Sequence, residues 1–221
     1  MKLTVAPGSE AAAELAAARM AAAVRTGRHI SLAGGTTPRR AYELFARAEG
    51  VAWDAVELWF GDERCVPPDD AESNYRLVAE SLLAGAPIPA GNVHRVRGED
   101  DPDVAAPAYA AEIRGVVLDL ALLGLGEDGH TASLFPGSEA LAVRDREAVA
   151  VIAAKPPPNR ITLTFPVFEA ARSIVVLAPG AGKAEAIAAV LRGRDERYPA
   201  SLLPDRTELI TDDAGASEAS A

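Results

Sequence analysis

Residues 116–137 read Val-Val-Leu-Asp-Leu-Ala-Leu-Leu-Gly-Leu-Gly-Glu-Asp-Gly-His-Thr-Ala-Ser-Leu-Phe-Pro-Gly. The apolar run 116–123 predicts a buried strand. Glycines at 124, 126, 129 and 137, together with Pro136, then break regular structure and predict a loop. A buried strand that hands over to a glycine-rich loop is how open α/β sheets build their ligand sites, outside the carboxyl ends of the strands.

Working outward, strand and helix alternate. Strands are expected over 3–5, 29–33, 56–60, 148–153, 161–165, 173–178 and 208–211, the 161–165 run showing poor alternation. Ser9 is placed to cap a helix running to about Arg25. Thr37 is placed to cap a second helix with Pro38 at its first position, where proline is best tolerated. That helix repeats apolar residues at Ala41, Leu44, Phe45 and Ala48, and the next one repeats them at Tyr75, Val78, Ala79 and Leu82. Further helices are expected over 102–114 and 182–191, a loop over 62–70, and irregular chain over 85–101. The alternation predicts one α/β domain over residues 1–212, an open, mostly parallel sheet with helices on both faces. Residues 213–221 are small and polar and are expected to form a disordered tail.

The chain has 221 residues, 49% hydrophobic and 24% charged, which suits a globular domain. Its net charge is −10 and its pI about 4.8. That balance disfavours nucleic acid and anionic membrane as partners, and an anionic substrate would have to be held by locally clustered positive charge. There are only three lysines, Lys2, Lys155 and Lys183. The single cysteine, Cys65, excludes an intrachain disulfide and a cysteine-based zinc site. Three scattered histidines do not form a metal site, and neither metal nor cofactor is expected. The segment after Met1 reaches Pro7 without an apolar core and the alanine-rich stretch 11–24 carries Glu14 and Arg19, so no signal peptide or membrane span is expected and the protein is placed in the cytoplasm.

Asp128 and His130 stand two residues apart in the glycine-rich loop. A histidine there can take a proton at cellular pH, and a neighbouring carboxylate can orient it. Ser133 lacks the G-x-S-x-G elbow of a serine hydrolase. His29, His94 and Cys65 are expected to be structural. Two other loops, Gly34-Gly35-Thr36-Thr37 and Gly180-Ala181-Gly182-Lys183, offer free backbone N–H groups and are followed by cations. Arg39, Arg40 and Lys183 fall in first helical turns, where cations are disfavoured. A bound anion would remove that conflict, and phosphate is the common occupant of such a place. Arg160 lies in a third loop.

Gly-Glu-Asp-Gly-His-Thr-Ala-Ser-Leu-Phe-Pro-Gly (126–137) resembles the signature of the 6-phosphogluconolactonases. Three further segments resemble that family in order along the chain: Leu-Ala-Gly-Gly-Thr-Thr-Pro (32–38), Trp-Phe-Gly-Asp-Glu-Arg (59–64) with Ser73-Asn74-Tyr75, and Lys-Pro-Pro-Pro-Asn-Arg-Ile-Thr-Leu-Thr (155–164). The resemblance implies hydrolysis of a sugar phosphate lactone. His130 would be the general base, Asp128 its partner, and Arg64 the charge beside the developing oxyanion. Gly34, Gly35, Thr36, Asp62, Arg160 and Lys183 would bind phosphate and sugar. The family segment often begins Ser-Gly-Gly, whereas this chain has Ala33 there and lacks that hydroxyl. Residues 62, 63 and 128 all remain open as the carboxylate that assists the base. Two other readings compete. Amino sugar phosphate isomerases share the Asp-Gly-His loop but continue Ile-Ala-Phe-Asn-Glu-Pro-Gly, with a catalytic Glu that this chain replaces by Phe135. A sugar-phosphate sensor would need the phosphate grip without the histidine pair.

Overall fold

The computed structural model describes residues 1–219. In chain order the strands are β1 (Lys2–Ala6), β2 (His29–Leu32), β3 (Glu57–Phe60), β4 (Asp62–Arg64), β5 (Val93–His94), β6 (Leu120–Gly124), β7 (Ala148–Ile152), β8 (Asn159–Leu163), β9 (Ile174–Leu177) and β10 (Glu208–Asp212). The α-helices are α1 (Ser9–Thr26), α2 (Arg39–Phe45), α3 (Asn74–Val78), α4 (Pro102–Ile113), α5 (Phe165–Ala170) and α6 (Ala184–Leu191).

Seven strands form one parallel sheet in the order β1-β10-β9-β6-β2-β3-β5. With helices on both faces, this is the open α/β architecture that the strand–helix alternation implies. Its central strands are buried on both sides, as a covered parallel sheet requires. The residues of β9 and Leu120, Ala121, Leu122 and Leu123 of β6 are almost wholly excluded from solvent. Alanines 12, 13, 16, 17 and 21, with Met20 and Val24, form the buried side of α1, which packs on α2 and the sheet.

Chain direction sets the place of the site. From β2 the chain goes to β3 on one side, and from β6 to β9 on the other. The carboxyl ends of the adjacent β2 and β6 therefore diverge at a topological switch point, where such sheets leave a crevice. Two buried tyrosines fix the margins of that crevice. The Tyr42 hydroxyl of α2 donates to the Ala33 carbonyl (2.7 Å), pinning the chain just before Gly34-Gly35. The Tyr109 hydroxyl of α4 accepts from the Phe60 N–H (2.7 Å) and donates to its carbonyl (3.0 Å). It thus satisfies the end of β3, beyond the reach of the two-residue β5.

A second, three-stranded antiparallel sheet in the order β4-β8-β7 stands beside the first. Gly61 joins them: its N–H donates to Leu32 in the large sheet and its carbonyl accepts from Leu163 in the small one (both 2.9 Å). The observed strands correct three expectations. The 62–70 segment begins with β4 rather than a loop, β8 ends at Leu163 and gives way to α5, and β5 interrupts the irregular 85–101 stretch. Neither expected hydroxyl cap forms, since Gly8 and Pro38 occupy those cap positions without a side-chain bond. Residues 213–219, expected to be disordered, form turns against β10, where the Gly215 N–H donates to Asp212 Oδ1 (2.8 Å). Ser220 and Ala221 of that expected tail lie outside the described residues.

Candidate active site

The crevice holds a cavity of about 260 Å³. Gly34, Gly35 and Thr36 after β2, Asp62 and Arg64 of β4, Gly126 and His130 after β6, Arg160 of β8 and Lys183 before α6 all border it. Of the candidate residues only Asp128 stands back from its wall. Larger hollows of about 590 and 770 Å³ lie along α4 and β7, but neither reaches a histidine or a glycine-rich loop.

The histidine loop is closed by its own backbone. The Gly126 N–H donates to the His130 carbonyl (2.8 Å) and the Gly129 N–H to the Gly126 carbonyl (3.0 Å). Gly129 turns the chain at φ +78°, a conformation that favours glycine. Asp128 Oδ1 lies 2.5 Å from His130 Nδ1 and accepts the His130 N–H at 3.2 Å. Of the three carboxylates left open, Asp128 is the one in contact with the imidazole, through Nδ1. Burial pushes the Asp128 carboxyl up, but the charge and hydrogen bonds of His130 outweigh it and hold it below the ordinary aspartate range. Gly126 has no room for a side chain, since a methyl group would collide with His130 Nδ1 and Asp128 Oδ1. On the other side of the imidazole is Phe135, its ring centroid 4.7 Å away and tilted by 50°.

The cations are arranged against ordinary pairing preference. Arg64 and Arg160 occupy directly paired positions of β4 and β8. Like charges so placed repel. Among the described residues Arg160 and Lys183 have no carboxylate within ion-pair distance, although sixteen ion pairs form elsewhere or nearby. Burial, and then the Arg64 charge, pull the Arg160 guanidinium below its ordinary range. Its Nε donates to the Pro157 carbonyl (3.2 Å) and its guanidinium lies over the Phe135 ring. Arg64 Nη1 is anchored on the Glu72 carbonyl, while its buried Nε has no acceptor. Lys183 follows Gly180, whose N–H is held by the buried Asp212 carboxylate (2.8 Å). Three cations thus converge on one cavity in a protein of net charge −10, and among the described residues only Arg64 has a carboxylate near it, Glu72 at 3.8 Å.

A buried polar knot supports the floor. Asp62 Oδ2 accepts from the Ser133 hydroxyl (2.6 Å), and Oδ1 accepts from Asn74 Nδ2 (3.2 Å), which also reaches the Asp62 carbonyl (2.9 Å). Gly34 has no side chain because the Asn74 amide fills that space. Glu63 accepts three backbone N–H groups, from Arg64, Asn74 and Tyr75, each at 2.7 Å. Burial pushes the Glu63 carboxyl up, opposed by those three donors. Glu63 is thereby committed to holding the start of α3 and is unavailable to the histidine. Ser133 and Asn74 are the residues that sequence reasoning missed as parts of the site. One is rejected there as a nucleophile and the other is indistinguishable from any polar residue at a helix start.

Arg39 and Arg40 need correction. Arg40 makes paired bonds to Glu10 (2.6–2.9 Å) and a bond to Glu43, and Arg39 reaches Glu80 at 3.2 Å. Carboxylates, not a phosphate, resolve their conflict with the helix start. Burial, and then the Glu63 charge, raise the Cys65 thiol.

The model of the family described as glucosamine-6-phosphate isomerases/6-phosphogluconolactonase matches residues 6–211. The chain belongs to this family. Within it, the 6-phosphogluconolactonase of Haemophilus influenzae is 38% identical over 199 residues, covering 86% of this chain and 82% of that one. The human 6-phosphogluconolactonase is also 38% identical, covering 89% and 83%. The crystal structure of 6-phosphogluconolactonase from Thermotoga maritima superposes with a TM-score of 0.83 at 29% identity, covering 95% of this chain and 97% of that chain. A monomeric glucosamine-6-phosphate deaminase superposes with a TM-score of 0.88 at 22% identity, covering 99% and 100%. At that identity the likeness concerns the fold alone, so the backbone does not choose between the two activities of the family. The side chains around His130 must.

Proposed function

We propose that this chain hydrolyses 6-phospho-D-glucono-1,5-lactone to 6-phospho-D-gluconate, the hydrolytic step of the oxidative pentose phosphate pathway. One observation carries the reading: His130, held from behind by Asp128, stands on the wall of a cavity where, among the described residues, Arg160 and Lys183 have no carboxylate partner. The family's curated members named above carry the name of this activity. Phe135 against the imidazole counts against the isomerase, which needs a carboxylate at that position. A sensor without turnover would leave the Asp128–His130 pair idle.

In this reading Nδ1 of His130 is held by Asp128 and Nε2 takes a proton from water, which attacks the lactone carbonyl. Gly34, Gly35, Thr36, Arg160 and Lys183 grip the phosphate. Arg64, expected from sequence beside the oxyanion, serves the phosphate instead, because it borders Gly35 and Thr36 in a neighbouring hollow as well. Asp62 orients the sugar from the floor. Among the described residues no helix is long and apolar enough to cross a membrane, and the reading places the enzyme in the cytoplasm.

The test is hydrolysis at neutral pH with the lactone generated in situ and its spontaneous opening subtracted. Acceleration is expected. No acceleration, with turnover of an amino sugar phosphate, would establish the isomerase, and binding without turnover would establish the sensor. Gly126→Ala, by forcing the imidazole and its carboxylate aside, is expected to lower kcat on the order of tenfold. Binding of glucitol 6-phosphate should stay nearly unchanged. An unaltered kcat would show that the pair tolerates displacement.

A further inference from the structure

The opening does not end at His130. An outer hollow of about 520 Å³ lies beside the first cavity and shares Gly126, His130, Arg160 and Lys183 with it. The cations peculiar to each differ. Arg64 borders the inner cavity with Gly35 and Thr36, whereas Lys155 borders only the outer hollow. Two carboxylates also border the outer hollow. Asp128 is engaged by His130, and Glu127 is exposed and forms no ion pair among the described residues. Lys155 likewise has no ion-pair partner among them.

The reaction itself says what such a cation meets. Water adds to C1 and His130 takes one of its protons. The bond from C1 to the ring oxygen then breaks, and that oxygen leaves as a hydroxyl after gaining a proton. The lactone is neutral at C1, while the product carries a carboxylate there. With phosphate held by residues 34–36, Arg64, Arg160 and Lys183, the attacked carbon is placed near His130, at the waist between the two hollows. The new negative charge arises at the mouth of the outer one.

We propose that Lys155 is a binding residue for the C1 oxygens, drawn first to the developing oxyanion and then to the product carboxylate. This rests on the lactonase reading and divides its cations: Arg64, Arg160 and Lys183 for the phosphate end, Lys155 for the C1 end. Lys155 is exposed, so its charge is partly screened and its contribution is that of one charge-assisted contact.

The test is calorimetric titration of the full chain with two ligands of the same carbon length and phosphate, 6-phosphogluconate and glucitol 6-phosphate. The second has no charge at C1. Lys155→Met is expected to weaken 6-phosphogluconate about tenfold and glucitol 6-phosphate less than about twofold. Lys155→Arg should restore most of the difference. Equal weakening of both ligands, or of neither, overturns the assignment. Failure of the unaltered protein to bind either ligand overturns the phosphate reading itself, a result distinct from both.

Discussion

Replacing His130 by alanine is expected to lower kcat for lactone hydrolysis by about 10²–10⁴-fold, the usual worth of a positioned general base. Binding of glucitol 6-phosphate should stay nearly intact. The division follows from the geometry. His130 touches the protein through Asp128, the loop backbone and the edge of Phe135, and it is partly exposed rather than part of the core. The cations proposed to hold phosphate are carried by β4, β8 and the turn before α6, and none of them bonds to the imidazole. Truncation therefore removes the proton acceptor and leaves the anchor standing. Initial rates with calorimetry on the same variant check this. A loss of binding as large as the loss of kcat would move His130 from the chemistry to the grip.

How much of the molecule is legible in its sequence depends on whether the forces involved are local. The Asp128–His130 pair is readable because two residues in a tight glycine loop have few ways to avoid meeting. The parallel sheet is readable because strands buried on both faces, such as β6 and β9, leave continuous apolar runs. The small sheet is not readable. Asp62, Glu63 and Arg64 make up β4, and three consecutive charged residues carry no period and read as a solvated loop. Their burial is tolerated only because Ser133, Asn74 and three backbone N–H groups arrive from distant parts of the chain. Arg39 and Arg40 mislead for the same reason in reverse. Their partners Glu10 and Glu80 lie 30 and 41 residues away, where a local argument about helix ends cannot see them. The glycine-rich loops do meet at one cavity, but Arg39 and Arg40, which the same local argument singles out, take carboxylates instead. The pair that bears the weight is Arg64 and Arg160, which only the β4–β8 register brings together.

That register yields the second large effect. Arg160→Met is expected to raise KM for the lactone by about 10²-fold, the loss of one or two charge-assisted contacts to phosphate. The same substitution should leave the free protein no less stable, and Tm is expected to stay level or rise. Arg160 is 9% exposed, faces a like charge across the strand pair, and gains only one backbone acceptor in return. Methionine keeps the contact with Phe135 and removes both the repulsion and the cost of burying an unneutralised charge. Ligand linkage separates this from ordinary core damage. Glucitol 6-phosphate should raise the Tm of the unaltered protein, because it binds the folded state alone. In the variant the same concentration should raise it far less, since affinity has fallen. A variant with lower Tm and unchanged KM would show that Arg160 holds β8 in place rather than holding substrate. A variant with level Tm and a large rise in KM would show that the two arginines are kept at opposed positions for the anion between them, with stability given up at the site for binding.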